Sequence, residues 1–322
     1  MKVLVIGAAG MIGRKLIEAL LKKGELSGRK ISDILAFDVV EASFNNDTDI
    51  SITGVSGEFS EPGQAAKLVA GKPDVIFHLA AIVSGEAETD FDKGYRINLA
   101  AVQYLYDAIR QQNYMPRVVY ASSIAVFGAP FDDPIQDDFH LTPLTSYGTQ
   151  KAIGELLLAD YTRKGIFDGI GIRFPTIVVR PGVANLAASS FFSNIIREPL
   201  AGKEAILPVS KDVKHWMASP KSAAGFCIHA AEIDGDKVGP RRNLTLPGIA
   251  ATVGEMIDAL GRVAGQEAVD LIKEQPDEAI NKIVGNWPRE FDASRAISLG
   301  FTCDASFDDI VQAHIDDMKD IQ

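Results

Sequence analysis

The stretch Lys2-Val3-Leu4-Val5-Ile6-Gly7-Ala8-Ala9-Gly10-Met11-Ile12-Gly13 decides the fold of this chain. Its first part, Lys2–Ile6, is a mostly apolar run typical of a buried parallel strand. The glycine-rich part leads directly into a helical pattern that continues to Lys23 and ends at Gly24. A strand, a glycine-rich turn and a helix in immediate succession predict the first unit of a nucleotide-binding α/β fold.

The three glycines follow the spacing G-x-x-G-x-x-G, and each has a physical role in that unit. Gly7 allows the tight turn, Gly10 lets a pyrophosphate approach the backbone, and Gly13 lets the helix pack closely on the strand. The helix N-terminus, which includes Met11 and Ile12, supplies N–H donors and positive potential to the phosphates. The alternative is an ordinary glycine-rich loop, but the strand–motif–helix context favours a dinucleotide site.

The second predicted strand, Ile31–Val40, contains an acidic residue that selects the cofactor. Asp38 lies 25 residues after Gly13 (38 − 13), where a carboxylate accepts both ribose hydroxyls of NAD and repels the 2′-phosphate of NADP. No arginine follows closely to favour NADP, although a solvated loop aspartate is the alternative interpretation. The next strand, Ile50–Val55, is closed by Gly57-Glu58-Phe59, and we expect Glu58 and Phe59 to lie at the adenine.

Length and alternation of elements predict two lobes. The chain has 322 residues, which is more than a single core usually holds. Strands alternate with helices up to Gly182, and this alternation fails afterwards. We expect residues 1–182, with 210–235 returning to them, to form an NAD-binding Rossmann domain. Residues 183–209 and 236–322 are expected to form a smaller α/β substrate-binding lobe.

Composition restricts the class of partner. The net charge of −11 argues against nucleic-acid binding through phosphates, whereas a local basic pocket still permits an anionic small-molecule substrate. The two cysteines and five histidines show no disulfide framework and no close metal-ligand spacing, so no metal is expected. Strand-like sequence from Lys2 leaves no room for a signal peptide, and no apolar run approaches the ~20 residues of a membrane helix. We therefore expect a cytoplasmic protein without membrane contact.

Later strands bring small and polar residues to one edge of the predicted sheet. The strand at Asp74–Ala81 ends in the small-residue turn Leu79-Ala80-Ala81, which lets the chain pass close to a cofactor. The strand Arg117–Ala121 places Ser122-Ser123 at its carboxyl end, and Gly169–Val179 is the expected sixth strand. Because ligands bind at the carboxyl ends of strands in open α/β sheets, these residues point to the site. The class expected is α/β, with a Rossmann-type doubly wound parallel sheet.

Tyr147 and Lys151 lie one helical turn apart at the start of a helical pattern from Ser146 to Lys164. A tyrosine phenol in a short peptide titrates near pH ~10 and is a poor base at neutral pH. A nearby ammonium favours the phenolate and lowers that pKa, which makes the pair a usable general base for an alcohol proton. Alone, the Y-x-x-x-K spacing is a weak signal.

In chain order these features resemble the extended short-chain dehydrogenase/reductase superfamily, the NAD-dependent epimerase/dehydratase group. The landmarks are Gly7-x-x-Gly10-x-x-Gly13, Asp38, His78-Leu79-Ala80-Ala81, Ser122-Ser123 and Tyr147-x-x-x-Lys151, and the resemblance covers essentially the whole chain. It implies that NAD is the cofactor, that Tyr147 is the proton acceptor, and that Lys151 binds the nicotinamide ribose and tunes Tyr147. His78 itself is interpreted as a structural histidine.

The resemblance also implies roles for residues between these landmarks. The catalytic serine of the superfamily precedes three residues and an aromatic–glycine pair, here Phe127-Gly128, so Ser123 fits that role better than Ser122. Asn98 is expected to support the active site through backbone and water. Pro175-Thr176-Ile177 is expected to lie over the nicotinamide carboxamide.

Such enzymes often form homodimers through two helices, which correspond here to Thr89–Gln112 and Ser146–Lys164. The apolar face of the first is wider than one side of a sheet requires, which fits burial against a second subunit.

Within the superfamily, two later runs resemble the subfamily of dehydrogenases that oxidise D-erythronate. The runs are Arg173–Gly182 and Ser189–Leu200. This implies NAD-dependent oxidation of a small sugar acid to its 2-oxo acid. A small acid needs a cation, and Arg197 is the candidate, with Ser84 and Asn185 as candidates for its hydroxyls. For each of these three, an ordinary surface residue is the alternative.

Two other functions remain possible from the residues. A nucleotide-sugar epimerase would use the same Ser123, Tyr147 and Lys151 and return the hydride, and another sugar-acid or uronate dehydrogenase would differ only in substrate. A dehydratase would need an acid pair that Ser122-Ser123-Ile124-Ala125 does not offer. A cofactor-sensing regulator without chemistry usually lacks the catalytic Tyr or Lys, which this chain keeps.

Overall fold

The mostly apolar run Lys2–Ile6 forms an interior strand of the largest sheet, paired on both sides. The structure is a computed structural model, and it describes residues 1–182, 189–285 and 287–319. The strands are β1 Lys2–Ile6, β2 Glu25–Leu26, β3 Arg29–Lys30, β4 Asp33–Asp38, β5 Ser51–Ser56, β6 Val75–His78, β7 Arg117–Ser123, β8 Asp168–Phe174, β9 Thr176–Ile177, β10 Ala205–Leu207, β11 Lys214–Ala218, β12 Asn243–Thr245, β13 Ile249–Thr252 and β14 Ile272–Glu274.

Helices connect these strands and cover both faces of the large sheet. They are α1 Met11–Lys23, α2 Gln64–Val69, α3 Ser84–Thr89, α4 Phe91–Tyr95, α5 Ala101–Gln112, α6 Ser146–Arg163, α7 Ser190–Leu200, α8 Pro220–Glu232, α9 Gly235–Val238, α10 Val253–Ala264, α11 Gln266–Val269, α12 Glu278–Val284, α13 Ser294–Ser298 and α14 Phe307–Lys319. A π-helix spans Arg96–Ala100, and a 3-10 turn spans Ile124–Val126. Within the described residues, no helix is long and apolar enough to cross a membrane.

The large sheet has seven strands in the order β12-β8-β7-β6-β1-β4-β5. Every neighbouring pair in it is parallel. One face is buried with residues of α1 and α8, and the other with residues of α2, α5 and α6. The predicted α/β class with a doubly wound parallel sheet is therefore confirmed.

The sixth strand is shorter than the predicted Gly169–Val179, because Pro175 interrupts it. Strand β8 ends at Phe174, and β9 pairs with β11 of a smaller three-stranded sheet. Proline has no N–H to donate to a ladder, so the chain leaves the large sheet at this residue. In the same smaller sheet, strand β11 pairs antiparallel with β13.

The predicted long helix Thr89–Gln112 is also interrupted. Asp90 ends α3 and caps α4, its carboxylate accepting a hydrogen bond from the Lys93 N–H at 3.0 Å. The π-helix then joins α4 to α5. An aspartate competes for backbone N–H groups, and this local interaction is not visible in an apolar pattern.

A second hydrophobic core lies in the smaller lobe, among α7, α10 and α14. The predicted boundary between the lobes stays a prediction. Strand β12, from the segment assigned to the substrate lobe, pairs with β8, and Ala296 and Phe301 pack in the core of the large sheet. Two parts of the segment 236–322 thus return to the large sheet.

Candidate active site

A cavity of about 590 Å³ lies between the carboxyl edge of the large sheet and the smaller lobe. Its sheet-side wall contains residues from strand ends and helix starts: Met11, Ile12, Leu79, Ala81, Ser84, Ser123, Tyr147 and Lys151. Its lobe-side wall contains residues that follow β8 or belong to the lobe: Thr176, Arg180, Ser193, Asn194, Arg197, His215 and Trp287. Pro175 and Ile177 line the cavity at the crossover between the two.

The cofactor end of the sheet-side wall fits a dinucleotide. Helix α1 starts after Gly10, with no side-chain cap among the described residues, so its first N–H groups are available to phosphate oxygens. A Cβ on Gly13 would overlap the carbonyl oxygen of Gly7, so only glycine permits this close packing of helix on turn. The turn and helix start therefore suit the pyrophosphate of NAD.

Asp38 lies beside the same turn. Its Oδ2 accepts a hydrogen bond from the Ala9 N–H at 2.8 Å, and its Oδ1 accepts one from the Val39 N–H at 2.7 Å. Each carboxylate oxygen has a further lone pair for a hydroxyl donor. The position fits the ribose role predicted for Asp38.

The expected adenine residues differ in their surroundings. The Glu58 carboxylate accepts a hydrogen bond from the Ser60 hydroxyl at 2.8 Å. Phe59 is buried, with its ring centroid 5.2 Å from that of His78, which is also buried. The structure thus places Phe59 and His78 in the core, and a contact of Glu58 or Phe59 with the adenine stays a prediction.

The small-residue turn after β6 is held against β1. The N–H groups of Leu79 and Ala80 both donate to the Ile6 carbonyl oxygen, at 2.8 and 3.0 Å. Leu79 and Ala81 line the cavity. The chain therefore passes close to the Gly7–Gly13 turn, as the small side chains predicted.

Helix α6 positions Tyr147 through its first turn. The Thr145 hydroxyl caps this helix and accepts a hydrogen bond from the Gly148 N–H at 3.0 Å. A Cβ on Gly148 would overlap the carbonyl oxygen of Ala125, in the 3-10 turn that follows Ser123. The glycine therefore lets the tyrosine approach the serine. This role of Gly148 was not predicted from the sequence. A glycine in the first turn of a predicted helix was the feature that could have indicated it.

The two serines at the end of β7 have different partners. The Ser122 hydroxyl is buried and donates to Glu155 Oε1 at 2.5 Å. Glu155 also binds Arg173, whose Nη2 lies 2.8 Å from Oε2 in a buried ion pair. The Ser123 side chain instead lines the cavity, accepts a hydrogen bond from the Ala125 N–H at 3.1 Å, and acts on the pKa of Tyr147. This arrangement agrees with the choice of Ser123 over Ser122.

Burial dominates the protonation of the central pair. It raises the pKa of Tyr147 to about 12, while the hydrogen bond with Ser123 acts in the opposite direction. Burial also lowers the pKa of Lys151 to about 7, opposed by the charge of Glu155. The pKa of Tyr147 is therefore shifted upward, opposite to the lowering expected from Lys151, and desolvation by burial is the largest cause.

The position of Lys151 shows why its effect on Tyr147 is weak. Its Nζ donates to the Ala121 carbonyl oxygen at 2.7 Å and lies 5.7 Å from the centroid of the Tyr147 ring. The amine is thus directed at the strand end rather than at the phenol.

Asn98 connects three segments around the site. It lies in the π-helix, and its Oδ1 accepts a hydrogen bond from the Ile82 N–H at 2.9 Å. Its Nδ2 donates to the Gln150 side chain of α6 at 2.8 Å. Asn98 therefore holds the loop after β6 and helix α6 together, and its supporting role in the active site stays a prediction.

The predicted substrate residues are only partly brought together. Ser84 and Arg197 both line the cavity. Asn185 lies outside the described residues. Sequence reasoning missed Arg180, which lines the same cavity. Nothing in the sequence around Arg180, which is followed by Pro181-Gly182, predicts that its side chain lies at the cavity.

Thr176 and His215 form a polar pair on the lobe-side wall. His215 Nδ1 lies 3.1 Å from the Pro288 carbonyl oxygen, which only accepts, so Nδ1 carries the proton. Burial lowers the pKa of His215 to about 4, so the ring is neutral and Nε2 accepts from Thr176 Oγ1 at 2.6 Å. The Thr176 oxygen is left with lone pairs for a donor in the cavity.

The charge of the cavity is opposite to that of the chain. Among the described residues that line it, Lys151, Arg180 and Arg197 are basic, and none is an aspartate or glutamate. The chain as a whole has a net charge of −11. A cavity with basic groups and no carboxylate in its described lining suits an anionic ligand.

Known proteins resemble this chain over its whole length. Residues 3–219 match the NAD dependent epimerase/dehydratase family. A Cupriavidus necator protein named D-erythronate dehydrogenase is 43% identical over 321 residues, which covers 98% of each chain. A Haemophilus influenzae protein of the same name is 39% identical over 317 residues, covering 98% of this chain and 99% of its own.

A solved structure is similar in fold as well as in sequence. The crystal structure described as a nucleoside-diphosphate-sugar epimerase from Agrobacterium tumefaciens has a TM-score of 0.96 and 58% identity. The similarity covers 98% of this chain and 94% of that one. The family and the cofactor predicted from the motifs are thus confirmed. The chain belongs to the NAD-dependent epimerase/dehydratase family, and its cofactor is NAD.

Proposed function

We propose that this enzyme oxidises a small sugar acid at a secondary alcohol, with D-erythronate converted to 2-oxo-D-erythronate. The basic cavity in an acidic protein carries this proposal, because it selects an anion. The two relatives named D-erythronate dehydrogenase, which match nearly the full length of the chain, support the choice of acid.

Three residues of the sheet-side wall supply the chemistry in this proposal. Bound NAD supplies the hydride acceptor at its nicotinamide. Tyr147 takes the hydroxyl proton, and Ser123 holds the oxygen that becomes the carbonyl. Lys151 is assigned to the nicotinamide ribose. Since burial raises the pKa of Tyr147 to about 12, the phenolate depends on the Ser123 hydrogen bond and on positive charge gathered near it.

The second candidate is a nucleotide-sugar epimerase, favoured by the description of the Agrobacterium tumefaciens structure. An epimerase uses the same Ser123, Tyr147 and Lys151 but returns the hydride to the sugar. On the lobe-side wall, the Arg197 charge is already balanced by Glu198 at 2.6 Å. Among the described residues of this wall, Arg180 is therefore the cation left for a ligand. A single cation suits one carboxylate better than a diphosphate.

The fate of the hydride distinguishes the two candidates. We expect net NADH formation, followed by absorbance, when the enzyme is mixed with NAD and D-erythronate. A panel of four- to six-carbon aldonates and uronates tests which acid is best. UDP-sugars should give little or no turnover. Interconversion of a UDP-sugar without release of NADH, seen by analysis of product isomers, contradicts the dehydrogenase proposal.

We also propose a homodimer in the cytoplasm. The exposed apolar residues Phe91, Tyr104 and Leu156 lie on the helices expected at the subunit interface and support this assembly. Both cysteines are free thiols, which supports a reducing compartment. Sedimentation equilibrium should give twice the mass of the chain.

A further inference from the structure

Two arginines, Arg180 and Arg197, lie on the lobe-side wall, and their guanidinium groups differ in how many hydrogen bonds they make with the described residues. Arg197 is buried, with 6% of its surface exposed. Its Nε and Nη2 donate to Glu198 Oε1 at 2.9 and 2.6 Å, and Nη2 also donates to Asn194 Oδ1 at 2.7 Å. Its Nη1 donates to the Arg180 carbonyl oxygen at 2.9 Å. Four of its five N–H donors are therefore used inside the protein.

Arg180 shows the opposite pattern. The residue is exposed and lines the cavity, and its guanidinium makes no hydrogen bond or ion pair with residues in 1–182, 189–285 and 287–319. Its backbone is nevertheless held at both ends. The N–H donates to Ser193 Oγ at 3.0 Å, and the carbonyl accepts from Arg197. Helix α7 thus fixes where this side chain starts, while those residues leave its donors available.

We propose that Arg180 binds the carboxylate of the substrate and that Arg197 is a positioning residue that holds Arg180. This inference rests on the proposed oxidation of a sugar acid and replaces Arg197 as the cation of the site. Arg197 would have to leave Glu198 to bind a second carboxylate, which breaks a half-buried ion pair and the hydrogen bonds that hold its guanidinium. Among the described residues Arg180 has no such partner to leave, and it offers a planar fork that matches a carboxylate.

The assignment also explains why the cation lies near the chemistry. In a 2-hydroxy acid the carboxylate is bonded to the carbon that loses its hydride. A side chain that grips the carboxylate therefore orients the reacting carbon between NAD and Tyr147. Substrates without the carboxylate should lose this orientation.

The test compares Arg180→Gln and Arg180→Lys with wild type on two substrates. One is D-erythronate, and the other is its uncharged carboxamide. Arg180→Gln should raise KM for the acid roughly 10- to 100-fold, as loss of a charge-assisted hydrogen bond predicts. KM for NAD and the melting temperature should stay unchanged. In wild type, KM should be lower for the acid than for the amide. This difference in KM should disappear in Arg180→Gln and be partly kept in Arg180→Lys.

Two further variants control for charge and for position. Arg289→Gln removes the same charge from an exposed residue that does not line the cavity, and it should leave both substrates unaffected. Arg197→Gln should raise KM for the acid with little change in kcat, and it should also lower the melting temperature. An unchanged acid KM in Arg180→Gln, with wild type active, overturns the role of Arg180 alone. Absence of NADH from every acid with wild type overturns the proposed function and this role together.

Discussion

The two walls of the cavity are built in different ways. On the sheet-side wall, Ser123, Tyr147 and Lys151 are positioned by a strand end and one helical turn. On the lobe-side wall, Thr176, Arg180 and His215 come from separate segments that meet only in the folded protein. Local geometry thus positions the residues proposed to carry the reaction, whereas tertiary packing positions the residues proposed to bind the substrate.

The walls also differ in how their polar groups are satisfied. On the sheet-side wall, Lys151 donates to a backbone carbonyl and the Ser123 hydroxyl accepts from the Ala125 N–H. On the lobe-side wall, the Arg197 guanidinium is paired with the Glu198 carboxylate. The Arg180 guanidinium, in contrast, makes no hydrogen bond or ion pair with the described residues. A sheet-side variant should therefore affect kcat, and a lobe-side variant should affect KM for the acid.

The largest effect is expected for Tyr147→Phe, which removes the proposed proton acceptor and leaves the nucleotide site. The rate of NADH formation should fall about 10³-fold, within the range known for general bases. NAD affinity, measured by titration calorimetry, should be kept. Tyr161→Phe is the matched control, because Tyr161 is on the same helix and its hydroxyl donates to Asp107 at 2.9 Å. Retained turnover in Tyr147→Phe contradicts the assignment of chemistry to the sheet-side wall.

A smaller effect should separate the neighbouring serines. Ser123→Ala should lower kcat about 10²-fold, since it removes a hydroxyl that holds the reacting oxygen. Ser122→Ala should keep kcat but lower stability by roughly 1–3 kcal/mol, because it breaks the buried hydrogen bond to Glu155. Steady-state kinetics and thermal unfolding of both variants decide the matter. A lower kcat in Ser122→Ala together with an unchanged kcat in Ser123→Ala would assign the catalytic role to Ser122 instead.

The smallest effect concerns the cofactor end of the sheet side. Wild type should prefer NAD over NADP in kcat/KM by at least about tenfold, or ~1.4 kcal/mol. Asp38→Ser should lower the ratio of kcat/KM for NAD to kcat/KM for NADP, because it removes the carboxylate expected to repel a 2′-phosphate. Asp33→Ser, at the opposite end of the same strand, serves as the control. Equal rates with both cofactors in wild type exclude the ribose role of Asp38.

The sheet-side wall could be predicted because its signals are local. The spacing of Gly7, Gly10 and Gly13, and the single turn between Tyr147 and Lys151, follow from strand, turn and helix geometry alone. The helix end at Lys23 was also predicted, since a glycine follows it. The long helix before Gln112 was predicted without its break at Asp90, because capping depends on a side-chain contact.

The amino-acid sequence by itself determined the parallel sheet, the family and the residues expected to carry the reaction. These depend on contacts between residues close in the chain, where spacing determines geometry. Only the tertiary structure decided that Ser122 binds Glu155, that Arg197 is neutralised by Glu198, and that Arg180 lines the cavity. The identity of each partner depends on packing between distant segments, and burial then decides the pKa of each group. For Tyr147, desolvation raises the pKa, whereas the sequence predicted that Lys151 would lower it.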